Sequence, residues 1–206
     1  MRELSLHVLD ALQNSLEAGA TLVELLIEEN LATDRLSITI RDNGRGMDEA
    51  QLARVFDPFY TTRKTRHVGL GVPLFKAAAA RCNGDLTITS QVGRGATLRA
   101  TFQHSHIDRA PLGDITGTLV VVILGGPGSD VHYVHRVMRS AEIGKPGDGE
   151  TRKPGDGEPR EFEFHTAEIK AELGDVPLTH PAVREWLRNF IAAGEAALSE
   201  APIRGR

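Results

Sequence analysis

From Leu4 onward the apolar residues Leu6, Leu9, Leu12 and Leu16, with Val8 and Ala11 beside them, recur at spacings of three and four. That is the helical period, so a first helix is expected over roughly residues 3–18, with Gly19 as its stop. Alternating or β-branched runs predict strands at 21–27 and 36–40, then at 85–90 and 96–103 around the turn Val92-Gly93-Arg94-Gly95. Asp48 can cap a short helix through Val55 before Pro58 interrupts it, and residues 72–81 read as another helix closed by Asn83-Gly84. Residues 115–124, purely aliphatic from Leu119 to Leu124, suit a buried helix, or a strand given Val120-Val121-Val122-Ile123; helix is the narrow preference. Residues 131–137 and 161–166 alternate as a hairpin would. A last helix opens near Thr179 or His180 with Pro181 in its first turn; Val183, Trp186, Leu187, Phe190 and Ile191 form its apolar stripe, with Trp186 expected in the core. Between the hairpin arms a Lys-Pro-Gly-Asp-Gly-Glu hexamer occurs twice, at 145–150 and 153–158, which predicts a disordered loop at about 144–160.

Composition narrows the setting. With 206 residues and 40% hydrophobic content there is chain for one ample core or two small ones, and two parts are expected. No stretch reads as a membrane span or secretion signal, so a cytoplasmic protein without a membrane partner is expected. The lone Cys82 suits a reducing compartment. A net charge of -4 gives no general attraction to nucleic acid. One basic cluster, Arg63-Lys64-Thr65-Arg66-His67, stands out as a polar loop.

Three groupings carry candidate chemistry. The strand at 36–40 delivers Asp42 into the turn Asn43-Gly44-Arg45-Gly46-Met47, where the glycines can take positive φ and let a flat ligand approach bare backbone; a plain hairpin turn has the same letters. Asp10, Asn14 and Glu17 share one stripe of the first helix, as they would on an ordinary solvated face. Gly69-Leu70-Gly71 enters a helix N-terminus, where free N–H groups and the helix dipole favour phosphate. His104 and His106, with Asp108 further on, have a spacing seen in zinc and iron sites, but too few ligands. An ordinary polar strand end is the expectation there.

Together and in this order, the segments 10–21, 42–46, 56–62, 69–71 and 93–97 resemble the ATP-binding domain shared by gyrase, the large heat-shock chaperone, histidine kinases and MutL. The resemblance covers residues 1–104 and implies a Bergerat-type α/β (α+β) sandwich, a mixed sheet covered by helices on one face. Residues 105–206 would be a small C-terminal α+β extension, similar to ATP-binding proteins found with iron hydrogenases. ATP and Mg2+ are the implied cofactors. Asn14 would bind the magnesium, Asp42 the adenine amino group, and Gly44, Gly46, Met47, Phe59, Lys64, Gly69, Leu70, Gly71 and Thr97 would complete the nucleotide site. Lys64 and Arg66, with Arg63 and His67, would meet the γ-phosphate.

Three departures qualify that reading. Hydrolysing members carry a glutamate four residues before the magnesium asparagine; here Asp10 stands there, a weak candidate base that predicts slow or absent hydrolysis. His67 replaces a glycine usual in histidine kinases. The chain also starts directly at the first box, without the phosphoacceptor helices of a sensor kinase. The expected function is a stand-alone kinase or slow ATPase whose protein partner supplies the acceptor. The alternative is a nucleotide-dependent regulatory module whose lid, residues 60–67, presents a partner surface. A mismatch-repair-like clamp is disfavoured by the acidic charge.

Overall fold

The computed structural model describes residues 3–57, 70–126, 128–139 and 159–199. In chain order the elements are α1 (Leu4–Glu17), β1 (Leu22–Asn30), β2 (Arg35–Asp42), α2 (Glu49–Arg54), α3 (Gly71–Arg81), β3 (Leu86–Gln91), β4 (Gly95–Gln103), α4 (Ile115–Gly125), β5 (Asp130–Met138), β6 (Arg160–His165), α5 (Thr166–Leu173) and α6 (Pro181–Ser199). The strands form one mixed sheet in the order β3-β4-β2-β1-β5-β6. Only β1 and β5 run parallel; every other neighbouring pair is antiparallel.

Alternation along the strands decides which face is covered. Val23, Leu25 and Ile27 of β1, Leu36, Ile38 and Ile40 of β2, Ala100 and Phe102 of β4, and Val131 and Tyr133 of β5 share one face and are buried. The helical layer packs on that face: α1 touches α3 on one flank and α4 on the other, and α4 touches α6. The opposite face carries polar side chains that pair across strands, among them Arg41 with Glu24 and Arg136 with Glu28, both at 3.6 Å. Such partly exposed pairs contribute little stability. The mixed sheet covered on one side is the architecture expected of a Bergerat-type fold.

The second half of the chain enters the same sheet. β5 lies along the full length of β1, from Leu22 opposite Asp130 to Asn30 opposite Met138. Ser129 Oγ fastens its start by donating to the Ala20 carbonyl at 2.6 Å. The apolar run before it is a helix, as preferred: Asp114 accepts from the Gly117 N–H at 2.7 Å, and six α4 residues from Ile115 to Ile123 are buried. The expected hairpin arms pair as β5 and β6. The hexamer repeat and loop at 144–160 lie outside the described residues.

Two expectations for this half change. The strand prediction ran through Thr166, but helix α5 begins there, with His165 Nδ1 accepting from the Ala167 N–H. α5 buries only Thr166 and Ile169, too few positions to show a helical period. On α6 the buried stripe is Val183, Leu187, Ile191 and Leu198, all in one register. Trp186 falls off that stripe; it is 47% exposed and stacks flat on Phe190 at 5.2 Å, so it is not a core anchor.

A buried charge network ties α6 to the sheet. His135 of β5 bridges two carboxylates, with Nδ1 2.9 Å from Glu195 Oε2 and Nε2 3.1 Å from Glu29 Oε1. Tyr133 donates to the other Glu195 oxygen at 2.8 Å, and His104 Nε2 meets the other Glu29 oxygen at 2.6 Å. Burial opposes charge on His135, but its hydrogen bonds to Glu195 and Glu29 and their charges outweigh burial and push it up to about 9. Hydrogen bonding from His135 in turn holds Glu29 down at about 2.

Candidate functional site

The site is built where α1 passes the C-terminal end of β2. Asp42 is the last residue of β2, paired with Val23 on one side and Ala96 on the other, and belongs to the helix-covered face. Both its oxygens are oriented. Ser15 Oγ of α1 donates to Oδ2 at 2.9 Å, and the Gly44 N–H donates to Oδ1 at 2.9 Å. Each carboxylate oxygen can accept more than one hydrogen bond, so the group keeps acceptor capacity while its rotamer is fixed.

The glycine turn is clamped from three sides. Arg45 reaches back to the Glu17 carbonyl at the end of α1, at 2.7 Å, and its own carbonyl accepts from Gly93 N–H at 2.8 Å. Ser90 Oγ accepts from Met47 N–H at 2.9 Å while donating to the Gly95 carbonyl at 2.7 Å. Asn43 Oδ1 accepts from the N–H groups of Thr21 and Leu22. Asp48 then caps α2 in a reciprocal capping box with Gln51.

The two glycines of this turn are needed for different reasons. Gly46 has φ +67, and a side-chain carbon there would overlap the Gln91 carbonyl. Gly44 does not take the positive φ expected of it; it is required by close approach, since a side-chain carbon would stand 2.9 Å from that of Ala18.

On α1, Asp10 and Asn14 stand one turn apart, and Ser15 follows Asn14. Asp10 faces Gly71, the first residue of α3, whose N-cap Leu70 makes no side-chain cap. Asp10, Asn14, Ser15, Asp42, Gly44, Gly46, Met47 and Gly71 are thus assembled by α1, the glycine turn and the start of α3. Leu70 is 45% exposed. Phe59, Lys64 and Gly69, with Arg63, Arg66 and His67, lie outside the described residues.

Thr97 is not brought to Asp42. It pairs with Arg41, and the residue opposite Asp42 is Ala96, so the one-residue step turns Thr97 to the other face of the sheet. His104 and His106 do not converge on a metal either. His104 is paired with Glu29, and His106 Nδ1 accepts from the Asp108 N–H at 3.2 Å. Among the described residues no group of three or more His, Cys, Asp or Glu is arranged to hold a metal ion, and no helix is long and apolar enough to cross a membrane. Ser15 and Ser90 were not singled out from sequence. Ser15 had a readable signal, a hydroxyl on the apolar stripe of Ala11 and Leu12 beside Asn14.

Residues 2–106 match the family described as histidine kinase-, DNA gyrase B-, and HSP90-like ATPase. A putative sensor protein of Shewanella frigidimarina is 31% identical over 103 residues, which are 49% of this chain and 16% of that protein. The tetrathionate sensor histidine kinase TtrS of Salmonella typhimurium is 33% identical over 97 residues, 45% of this chain and 16% of its own length. The sensor protein kinase FleS of Pseudomonas aeruginosa is 39% identical over 108 residues, 52% of this chain and 26% of its length. The chain spans between about a sixth and a quarter of these relatives.

Proposed function

The chain belongs to the histidine kinase-, DNA gyrase B-, and HSP90-like ATPase family, and from that membership we propose that it binds Mg·ATP between α1, the glycine turn and the start of α3. The observation that carries this reading is the Asp42 carboxylate, oriented by Ser15 and Gly44 at the end of β2, where the glycine turn begins. A carboxylate accepts a hydrogen bond from the adenine amino group; guanine offers a carbonyl at that position, and two facing acceptors repel.

Asn14 would hold the magnesium. A single neutral amide oxygen suits magnesium, which keeps several waters and takes its remaining ligands from phosphate oxygens. When bound, the ion would neutralise charge on the phosphates. Asn14, one turn from Asp10, would orient that end of the nucleotide while Asp42 fixes the base.

The reaction proposed is phosphoryl transfer or slow hydrolysis, with a protein partner supplying the acceptor in the cytoplasm, where ATP is available. A second reading is a nucleotide-dependent binding module, favoured by Asp10 in place of the longer glutamate of hydrolysing members. Incubation with γ-labelled ATP, alone and with candidate partners, separates them: labelled protein supports a kinase, released phosphate an ATPase. Tight ATP binding with neither product supports the module, and no ATP binding overturns all three.

A further inference from the structure

β6 closes one end of the sheet, paired with β5 on one side and with no described strand on the other. Such a margin offers a row of main-chain donors and acceptors to another chain. The helix beside it is apolar on the same flank. Phe190 of α6 meets Phe162 and Phe164 of β6 at ring distances of 5.5 and 5.9 Å, and Trp186 lies flat on Phe190 while 47% exposed. Large aromatics left half open in this way are enriched at protein interfaces.

We propose that this margin joins a second copy of the chain, with β6 pairing antiparallel to its twin across a two-fold axis, so that the sheet runs on from one copy into the other. The order of residues along β6 supports self-pairing. Residues directly opposite in an antiparallel pair share a face, so the axis has to pass through a single residue. Through Phe162 it would set Glu161 against Glu163 twice, two like-charge contacts. Through Glu163 it sets Glu161 against His165 and Phe162 against Phe164, twice each. His165 Nδ1 accepts from the Ala167 N–H, which leaves its Nε2 to donate to Glu161 of the second copy. Glu163 meets its twin on the axis, each already beside its own His132 at 2.7 Å. On the helix side of the strand, each copy brings Trp186 and Phe190 to the flank that borders β6. The arrangement is isologous and closes at two copies. It stands independently of the nucleotide reading.

The test is sedimentation equilibrium of the full chain over a wide concentration range, beside the emission of Trp186, the single tryptophan. A mass approaching twice that of the chain is expected, with Trp186 emission shifting to the blue as copies associate. Trp186→Lys should weaken association about tenfold or more; Trp186→Ala serves if the lysine variant does not fold. Glu163→Cys, at the axis, should cross-link to its twin in oxidised glutathione, since opposite residues lie about 4.5–5.5 Å apart. Thr87→Cys, exposed on the far edge strand β3, should not, and the native Cys82 is buried. A monomer at every concentration overturns the proposal and leaves β6 to an extended segment of another protein. A dimer in which Glu163→Cys fails to cross-link, or in which Thr87→Cys cross-links equally well, overturns it too. So does unaltered association of the Trp186 variant.

Discussion

Ser15 and Asp42 are joined by a 2.9 Å hydrogen bond from hydroxyl to carboxylate, which locks α1 to the end of β2 at the proposed base-recognition point. Removing the hydroxyl leaves Asp42 held only through Gly44. Ser15→Ala should weaken ATP binding about tenfold, the typical worth of a hydrogen bond to a charged group. Asp42→Asn should abolish binding and with it any preference for ATP over GTP. Competition binding with both nucleotides checks this; an unaltered preference in Asp42→Asn rules out the base assignment.

The network around His135 predicts a stability profile with two flanks. The His135 pKa is raised to about 9, so its contribution is complete below its unfolded value near 6.5 and is lost as pH rises through 9. Glu29 is lowered to about 2, so its contribution is present above about 4.5 and is lost as pH falls through 2. The network is therefore strongest between about pH 4.5 and 6.5. His135→Gln should cost on the order of 3 kcal/mol in that window, because it removes the buried cation that two half-buried carboxylates share, and less above pH 9. Denaturant unfolding across pH measures it.

His7 acts in the opposite sense. It is buried on α1, stacked on Phe75 at 4.9 Å, and its Nδ1 has no hydrogen-bond partner among the described residues. Burial, helped by the charge of the N-terminus, lowers its pKa to about 4. A histidine kept neutral by the fold contributes stability present above 6.5 and lost as pH falls from 6.5 toward 4. His7→Phe should therefore stabilise more at pH 5 than at pH 7.5, by about 1–3 kcal/mol, as the orphaned polar atom is removed and protonation no longer competes. Thermal melts at the two pH values test it.

Gly46→Ala should disrupt the glycine turn. Its φ of +67 costs an L residue about 1–2 kcal/mol, and the new carbon would also collide with the Gln91 carbonyl. Loss of ATP binding with a lowered Tm is expected; Gly44→Ala, whose obstacle is the methyl of Ala18, should cost less.

The first half of the fold is legible because its signals are local. The three-and-four spacing of leucines marks α1, and the Asp48 cap marks α2 to within a residue. In the candidate site the turn after β2 is legible at Asp42 and Gly46, where residue type alone restricts the local geometry. What sequence does not carry is which side of a strand a residue faces relative to a partner strand, and a shift of one residue separates Thr97 from Ala96. It also does not show that Glu29, His104, His135 and Glu195, spread from β1 to α6, meet in one network. Those contacts depend on which strand lies beside β1, and parallel pairing leaves no turn to announce it.

The parallel pairing of β1 with β5 also bears on how the chain acquires its shape. Leu22 meets Asp130, about a hundred residues later, across a contact no local hairpin can nucleate. A nascent chain that has emerged only through β4 presents the outer side of β1 as a row of unmatched N–H and C=O groups, the kind of margin on which chains stick to one another. Synthesis of α4 and β5 closes that margin, so the interval between β4 and β5 is when this protein most needs a chaperone, and a fragment ending near residue 104 would accumulate as aggregate.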